Sequence, residues 1–129
     1  MPPKDSLYPQ DWFRLAARDF KRVEHLLNVD DPEGAGYHLQ QAVEKYLKGF
    51  LLSKGWKLKR IHDLEVLLND ALKFEKAFEK YRSLCQKITG YYIIDRYPLP
   101  AALMLTKEEV QESVAEAEQF IQRLKGLTK

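Results

Sequence analysis

Between residues 39 and 50, Leu39, Ala42, Val43, Tyr46, Leu47 and Phe50 recur at the three- and four-residue spacing that turns one side of an α-helix towards a core. The pattern predicts a helix that ends near Ser53, with Gly55 following as a left-handed cap. His38, Gln41, Lys45 and Lys48 make a second stripe, far enough round the same helix that they are expected to stay out of that core. Glu44 stands four residues before Lys48, the favourable order for an ion pair within one helix. Beyond the cap, a basic loop with Lys57, Lys59 and Arg60 leads to His62 and Asp63, where a new apolar rhythm starts.

An earlier helix is predicted from Pro9, which suits a first helical turn, to about Asn28. Its apolar face is Trp12, Leu15, Ala16, Phe20, Val23, Leu26 and Leu27, and it stops before the turn-like run 30–34. Asp19 falls on the inward face. A buried carboxylate is costly unless paired, so Asp19 sits either at the edge of the core or against a basic or backbone partner, and a partner is the expectation. The opposite face carries Arg14, Arg18, Lys21, Arg22 and His25, which reads either as an ordinary solvated face or as a contact for phosphates.

After the basic loop, Leu64, Leu67, Leu68, Ala71 and Leu72 keep helical spacing, and Phe74, Ala77, Phe78, Tyr81, Leu84, Cys85 and Ile88 repeat it on a shifted face. The shift suggests two helices parted within residues 73–76. No Gly or Pro separates them, so one long bent helix fits the same pattern. Residues 90–100 read as a connector, aromatic and β-branched, with Pro98 and Pro100 stopping regular helix. Thr106 to Glu109 reads as a capping box that starts a last helix, with Val110, Val114, Ala117, Ile121 and Leu124 inward and Gly126 near its end. Four or five helices, short connections and no period-two run describe an all-α, up-and-down antiparallel bundle, a single domain over residues 1–129.

Composition narrows the function classes. The chain has 129 residues, 45% of them apolar, enough for one compact core. A net charge of +2 argues against coating nucleic acid by bulk charge, so any such binding is local. The single cysteine, Cys85, lies in the apolar register and reads as core; no metal spacing of Cys or His is present, and no metal or cofactor is expected. There is no secretory signal and no run near the roughly 20 apolar residues of a membrane span, so a cytoplasmic protein without membrane contact is the expectation. Gly-rich phosphate loops, HExxH and Gly-x-Ser-x-Gly are all absent, and the carboxylate pairs Glu108-Glu109 and Asp30-Asp31 are explained by a helix start and a turn.

The candidate chemistry is basic and aromatic. His38, Lys45 and Lys48 present donors in a row for an anion, or are simply solvated. His62 either binds a ligand or serves structurally, at a helix start or towards a neighbouring backbone group. Arg96, followed by Tyr97 and Pro98, can grip a phosphate or stack on a base, or tie the connector to Asp19 or Asp95.

Taken together, Trp12, Ala16 and Asp19, the run Gln41-Ala42-Val43-Glu44-Lys45-Tyr46-Leu47-Lys48, His62-Asp63-Leu64 after a glycine and a basic loop, and Arg96-Tyr97-Pro98 ahead of the last helix resemble the HEPN family, the higher-eukaryote and prokaryote nucleotide-binding domain. The resemblance runs over nearly the whole chain. It implies a small up-and-down helical bundle, a homodimer, and a minimal nucleotidyltransferase partner encoded nearby, the two forming a toxin-antitoxin-like system. The connector and the outer helix faces are then candidates for a dimer seam. Many members are ribonucleases with an arginine, four to six intervening residues and a histidine on a late helix. Here Arg96 stands where that arginine would be, but Ala101, Ala102 and Leu103 occupy the histidine's places. Arg18 and His25 have the spacing, but on the first helix, where the resemblance gives no support. Without the late histidine, metal-independent RNA cleavage lacks its proton-transfer group. The expectation is therefore a nucleotide-binding or interaction module with no catalytic residue, taking a nucleotide or RNA through Lys45, Lys48, His62, Arg96 and Tyr97. A ribonuclease toxin with an atypical active site is the alternative.

Overall fold

The computed structural model describes residues 5–96 and 104–128, and the side chains of all of these except residues 93–96. Among the described residues the fold is an all-α, up-and-down antiparallel bundle of five helices: α1 (Pro9–Asn28), α2 (Pro32–Ser53), α3 (Leu64–Leu72), α4 (Arg82–Arg96) and α5 (Lys107–Gly126), with a short 3-10 helix (Lys76–Tyr81) between α3 and α4.

α2 is the centre of the bundle, packed by α1, α3, α4 and α5. Its six periodic apolar residues, Leu39 to Phe50, are each at most 5% exposed. Two glycines let the neighbours close on it. A Cβ on Gly49 would come within 2.6 Å of the Phe13 ring of α1, and one on Gly36 within 2.6 Å of Leu105 and 3.2 Å of Tyr91 of α4. Tyr91 is in turn pinned to α5 by a buried hydrogen bond of 2.9 Å between its hydroxyl and that of Ser113.

The helix ends follow local chemistry. Pro32 is the first helical residue of α2, and the Asp31 side chain caps the helix by accepting from the Gly34 amide, so the turn expected over residues 30–34 shrinks to Val29, Asp30 and Asp31. Gly55 takes the left-handed conformation after α2, with φ +85°. Asp63 caps α3 through the Glu65 amide, and the Thr106–Glu109 box at the start of α5 has both of its reciprocal hydrogen bonds.

Three expectations change. On α1, Leu15 is 38% exposed, and the buried stripe is Ala16, Asp19, Val23 and Leu27, narrower than the apolar pattern. The break after α3 is real, but the segment expected as one helix from Phe74 begins as 3-10. Phe78 and Tyr81, three residues apart, eclipse in that geometry and both turn inward. Residues 90–96, read as connector, complete α4. The helical cost of Gly90, about 1 kcal/mol, is offset by burial of Ile88 and Tyr91 on the same helix. The first proline, Pro98, restricts only the residue before it, which leaves Arg96 free to be helical. The rest of that connector, Tyr97 included, lies outside the described residues.

Cys85 is fully buried, and burial pushes its thiol up to about 12. The thiolate is the reactive form, so a thiol reagent at about pH 8 is expected to label the native protein far more slowly than the urea-unfolded chain. Equal rates would put the thiol at the surface.

The loop from Lys54 to Asp63 is tethered by Asp70 of α3, whose Oδ2 accepts from the Trp56 indole at 2.8 Å and the Lys59 ammonium at 3.3 Å. Burial pulls the Asp70 carboxyl up, but these two donors, with Lys73, outweigh it and hold the group below the usual carboxylate range. A folded value below the unfolded one means the tether contributes fully above about pH 4 and is lost as pH falls through the folded value. In a Trp12→Phe background, Trp56 emission is expected to shift in acid before helix signal is lost, and Asp70→Asn is expected to abolish that early step. Coincident loss of both signals in both proteins would clear Asp70 of this role.

Candidate functional site

Two buried carboxylates organise the polar residues of α2. The first is Asp19, which the helical phase of α1 turns inward to 3% exposure. His38 and Lys45, two turns apart on α2, approach it from either side: His38 Nδ1 lies 3.0 Å from Oδ1, and the Lys45 ammonium donates to Oδ2. Arg22 adds a third donor at 3.3 Å from α1 itself. The expectation that Asp19 has a basic partner is met three times over.

The second is Glu44, 4% exposed. Lys48 donates to its Oε2 at 2.9 Å, the Gln40 amide donates to Oε1 at 3.0 Å, and His62 Nδ1 lies 3.1 and 3.2 Å from its two oxygens. Gln40 also holds the carbonyl of His62 at 2.9 Å, so the loop is fastened to α2 by backbone and side chain together. An ionised carboxylate only accepts, so in each case the imidazole carries its proton on Nδ1 and donates it, which fixes the orientation of both rings.

Lys48 departs most from the sequence reading. Its side chain is 5% exposed, with the ammonium 5.5 Å from the centre of the Trp12 ring, and it belongs to the interior that the stripe was expected to avoid. The reason is that α1 also packs along this side of α2, setting Asp19 against His38 and Lys45 and the Trp12 ring beside Lys48. That seam needs counter-charges rather than solvent.

The five residues expected to contact a ligand are therefore distributed as follows. Lys48 and His62 meet on Glu44, and Lys45 is committed to Asp19. Arg96 is the last residue of α4, with its side chain outside the described set, and Tyr97 lies outside the described residues altogether. Of the structural roles open to His62, helix capping falls to Asp63 instead. His62 is 63% exposed at its side chain and stacks on Tyr92 of α4, with ring centres 6.2 Å apart and planes within 9°. Tyr92 stands one helical turn before Arg96. Sequence reasoning passed over Tyr92, Tyr37 and Gln40. Of these, only Tyr92 had a signal, as part of the aromatic run before Arg96.

The outer face of α1 is exposed, as expected. Arg18, Lys21, Arg22 and His25 line a shallow hollow of about 360 Å³, and a similar hollow of about 370 Å³ lies against Asp5, Leu7, Leu58 and Arg60. Among the described residues, no cluster of three or more His, Cys, Asp or Glu side chains is arranged to hold a metal ion, and no helix is long and apolar enough to cross a membrane.

A bundle centred on one buried helix, with this order of elements, is matched by a known family: residues 9–127 fit the HEPN domain, and the chain belongs to that family. Among curated proteins it is similar to "Putative toxin MJ1304" of Methanocaldococcus jannaschii, 27% identical over 95% of this chain and 89% of that protein. Among solved structures it superposes on TT1696 from Thermus thermophilus with a TM-score of 0.81 and 25% identity, covering 92% of this chain and 97% of that one. ST0689, described as an archaeal HEPN homologue, superposes with a TM-score of 0.76 at 24% identity over 95% and 98% of the two chains, a likeness of fold.

Proposed function

We propose that the protein is a nucleotide-binding interaction module that works with a minimal nucleotidyltransferase partner in a toxin-antitoxin-like pair, and that it does so as a cytoplasmic homodimer. The observation that carries the reading is the position of His62: held by Glu44, exposed, and stacked on Tyr92 one turn before Arg96. His62, Arg96 and Tyr97 are the direct contacts in this proposal. Lys45, whose ammonium is committed to Asp19, is not a direct contact. Lys48, with its ammonium given over to Glu44, acts through that carboxylate on His62. Asp19 and Glu44 are compensated by Lys45, Arg22 and Lys48, so the surface does not repel a phosphate through uncovered carboxylates. Calorimetry with ATP, GTP and short RNAs tests it: wild type is expected to bind, and Arg96→Ala and His62→Ala to bind more weakly. Absence of binding, or binding indifferent to both substitutions, overturns the reading. Retention of a nucleotidyltransferase on co-purification tests the partner.

A ribonuclease toxin with an atypical active site is favoured by one observation, the two histidines each oriented by a buried carboxylate, an arrangement suited to general acid-base chemistry. Similarity to a protein described as a putative toxin agrees with it. Incubation with total RNA is the test, and RNA left intact where a known family nuclease cuts excludes it.

A further inference from the structure

Among the described residues, two clusters of ring contacts differ in their exposure. Phe50, Phe78, Tyr81 and Phe120 are closed inside the core, at most 2% exposed. A second group reaches the surface across three elements. His62 of the loop stacks on Tyr92 of α4 at 6.2 Å and 9°, Tyr92 lies 5.8 Å and 30° from Tyr37 of α2, and Tyr37 meets the neighbouring His38 edge-on at 5.3 Å and 82°.

We propose that His62, Tyr92, Tyr37 and His38 form a stacking platform for unpaired nucleobases. The inference rests on the nucleotide-binding reading above and names the part of the ligand that these rings take. A planar base presents a π-face whatever its identity, and surface aromatic rings beside positive charge are the common means of holding bases without reading their sequence. Both histidine rings are locked by hydrogen bonds to Glu44 and Asp19. Tyr37 and Tyr92 are half-buried. Rings already ordered in the free protein lose little freedom when a base settles on them. His62, exposed over most of its side chain, is the outermost ring and the natural first contact.

Stacking on one ring is worth roughly 5- to 150-fold in affinity per base. The test compares a single-stranded RNA of about eight nucleotides, the span of a small single-strand site, with an abasic sugar-phosphate strand of the same charge and with a free mononucleotide, by fluorescence anisotropy and calorimetry. Wild type is expected to bind the base-bearing strand at least about ten-fold more tightly than the abasic one. His62→Leu and Tyr92→Leu are expected to lower the first affinity more than the second, so that the ratio between them falls towards one. Tyr92→Phe keeps the ring and is expected to keep the affinity; loss with phenylalanine would assign the effect to the hydroxyl and overturn stacking. Should Tyr92→Leu fail to fold, His62→Leu and Tyr92→Phe still decide. Equal affinity of wild type for base-bearing and abasic strands overturns the platform while the nucleotide-binding reading survives on charge. Failure to bind any of the three ligands overturns both. Ring-dependent binding of the mononucleotide alone supports the platform and makes a free nucleotide, not a strand, its occupant.

Discussion

Replacing Glu44 with alanine is expected to lower the unfolding free energy by about 3–5 kcal/mol, the loss that follows when one partner of a buried ion pair is removed. The Lys48 ammonium would stay in the seam between α1 and α2, at 5% side-chain exposure, with the Trp12 ring as its remaining neighbour. Gln40, fully buried, would lose an acceptor, and His62 would lose its anchor, so the loop that carries it would loosen as well. Against a typical total of about 5–15 kcal/mol, that is enough to leave the fold marginal. Urea denaturation followed by circular dichroism measures it. Glu44→Leu combined with Lys48→Met removes both charges at similar volume and is expected to recover most of the loss, because the cost lies in the stranded charge. Asp19→Ala is a useful contrast. Lys45 and Arg22 are 21% and 50% exposed at their side chains and can turn to solvent, so a smaller loss of about 1–3 kcal/mol is expected. A loss below about 1 kcal/mol for Glu44→Ala would mean that Lys48 reaches water by a short side-chain movement and that the pair is structurally unimportant.

The contrast between Lys48 and Asp19 also explains how much of the molecule could be read from the chain. Helical phase is a property of one element, and it placed the Leu39–Phe50 face and the inward Asp19 correctly because each needed only one neighbour. Lys48 needed a count of neighbours. A helix with a single packed side keeps its lysines in water, whereas a central helix does not, and no periodicity within residues 32–53 reports that α1 also packs along the side that carries them. The partnership of Glu44 with Lys48 was visible in the spacing, but its burial was not. The end of α4 was misread for a different reason. Gly90 and the later prolines are local signals against helix, and the burial of Ile88 and Tyr91 outweighs the first while Pro98 lies too late to act on Arg96. Misplacing that boundary hid Tyr92, which only as a helical residue comes to face a loop histidine thirty positions earlier in the chain. Contacts of that kind depend on angles between helices, which side-chain spacing does not encode.

Phe78→Ala is expected to cost about 3–5 kcal/mol, with a sharp fall in the urea midpoint and little change in its slope. Phe78 is fully buried on the 3-10 segment, and its ring meets Phe50 of α2 edge-on at 5.5 Å and Phe120 of α5 at 5.3 Å, with the Arg123 guanidinium 5.9 Å from its centre. One side chain thus joins three elements, and among the described residues the 3-10 helix has one further aromatic link, Tyr81, which stacks on Phe120 at 4.3 Å. Truncation removes the transfer free energy of the ring and leaves a cavity that the rigid helices on either side close only in part. Phe78→Leu keeps much of the volume and is expected to lose less than half as much. The size of this effect bears on the break after α3. If the 3-10 geometry exists because it delivers Phe78 and Tyr81 to the core together, the alanine variant should also show faster amide exchange in residues 76–81 than in α2, since the segment has few other buried anchors. Exchange that stays as slow there as in the wild type would mean that the backbone, and not the ring, holds the segment in place.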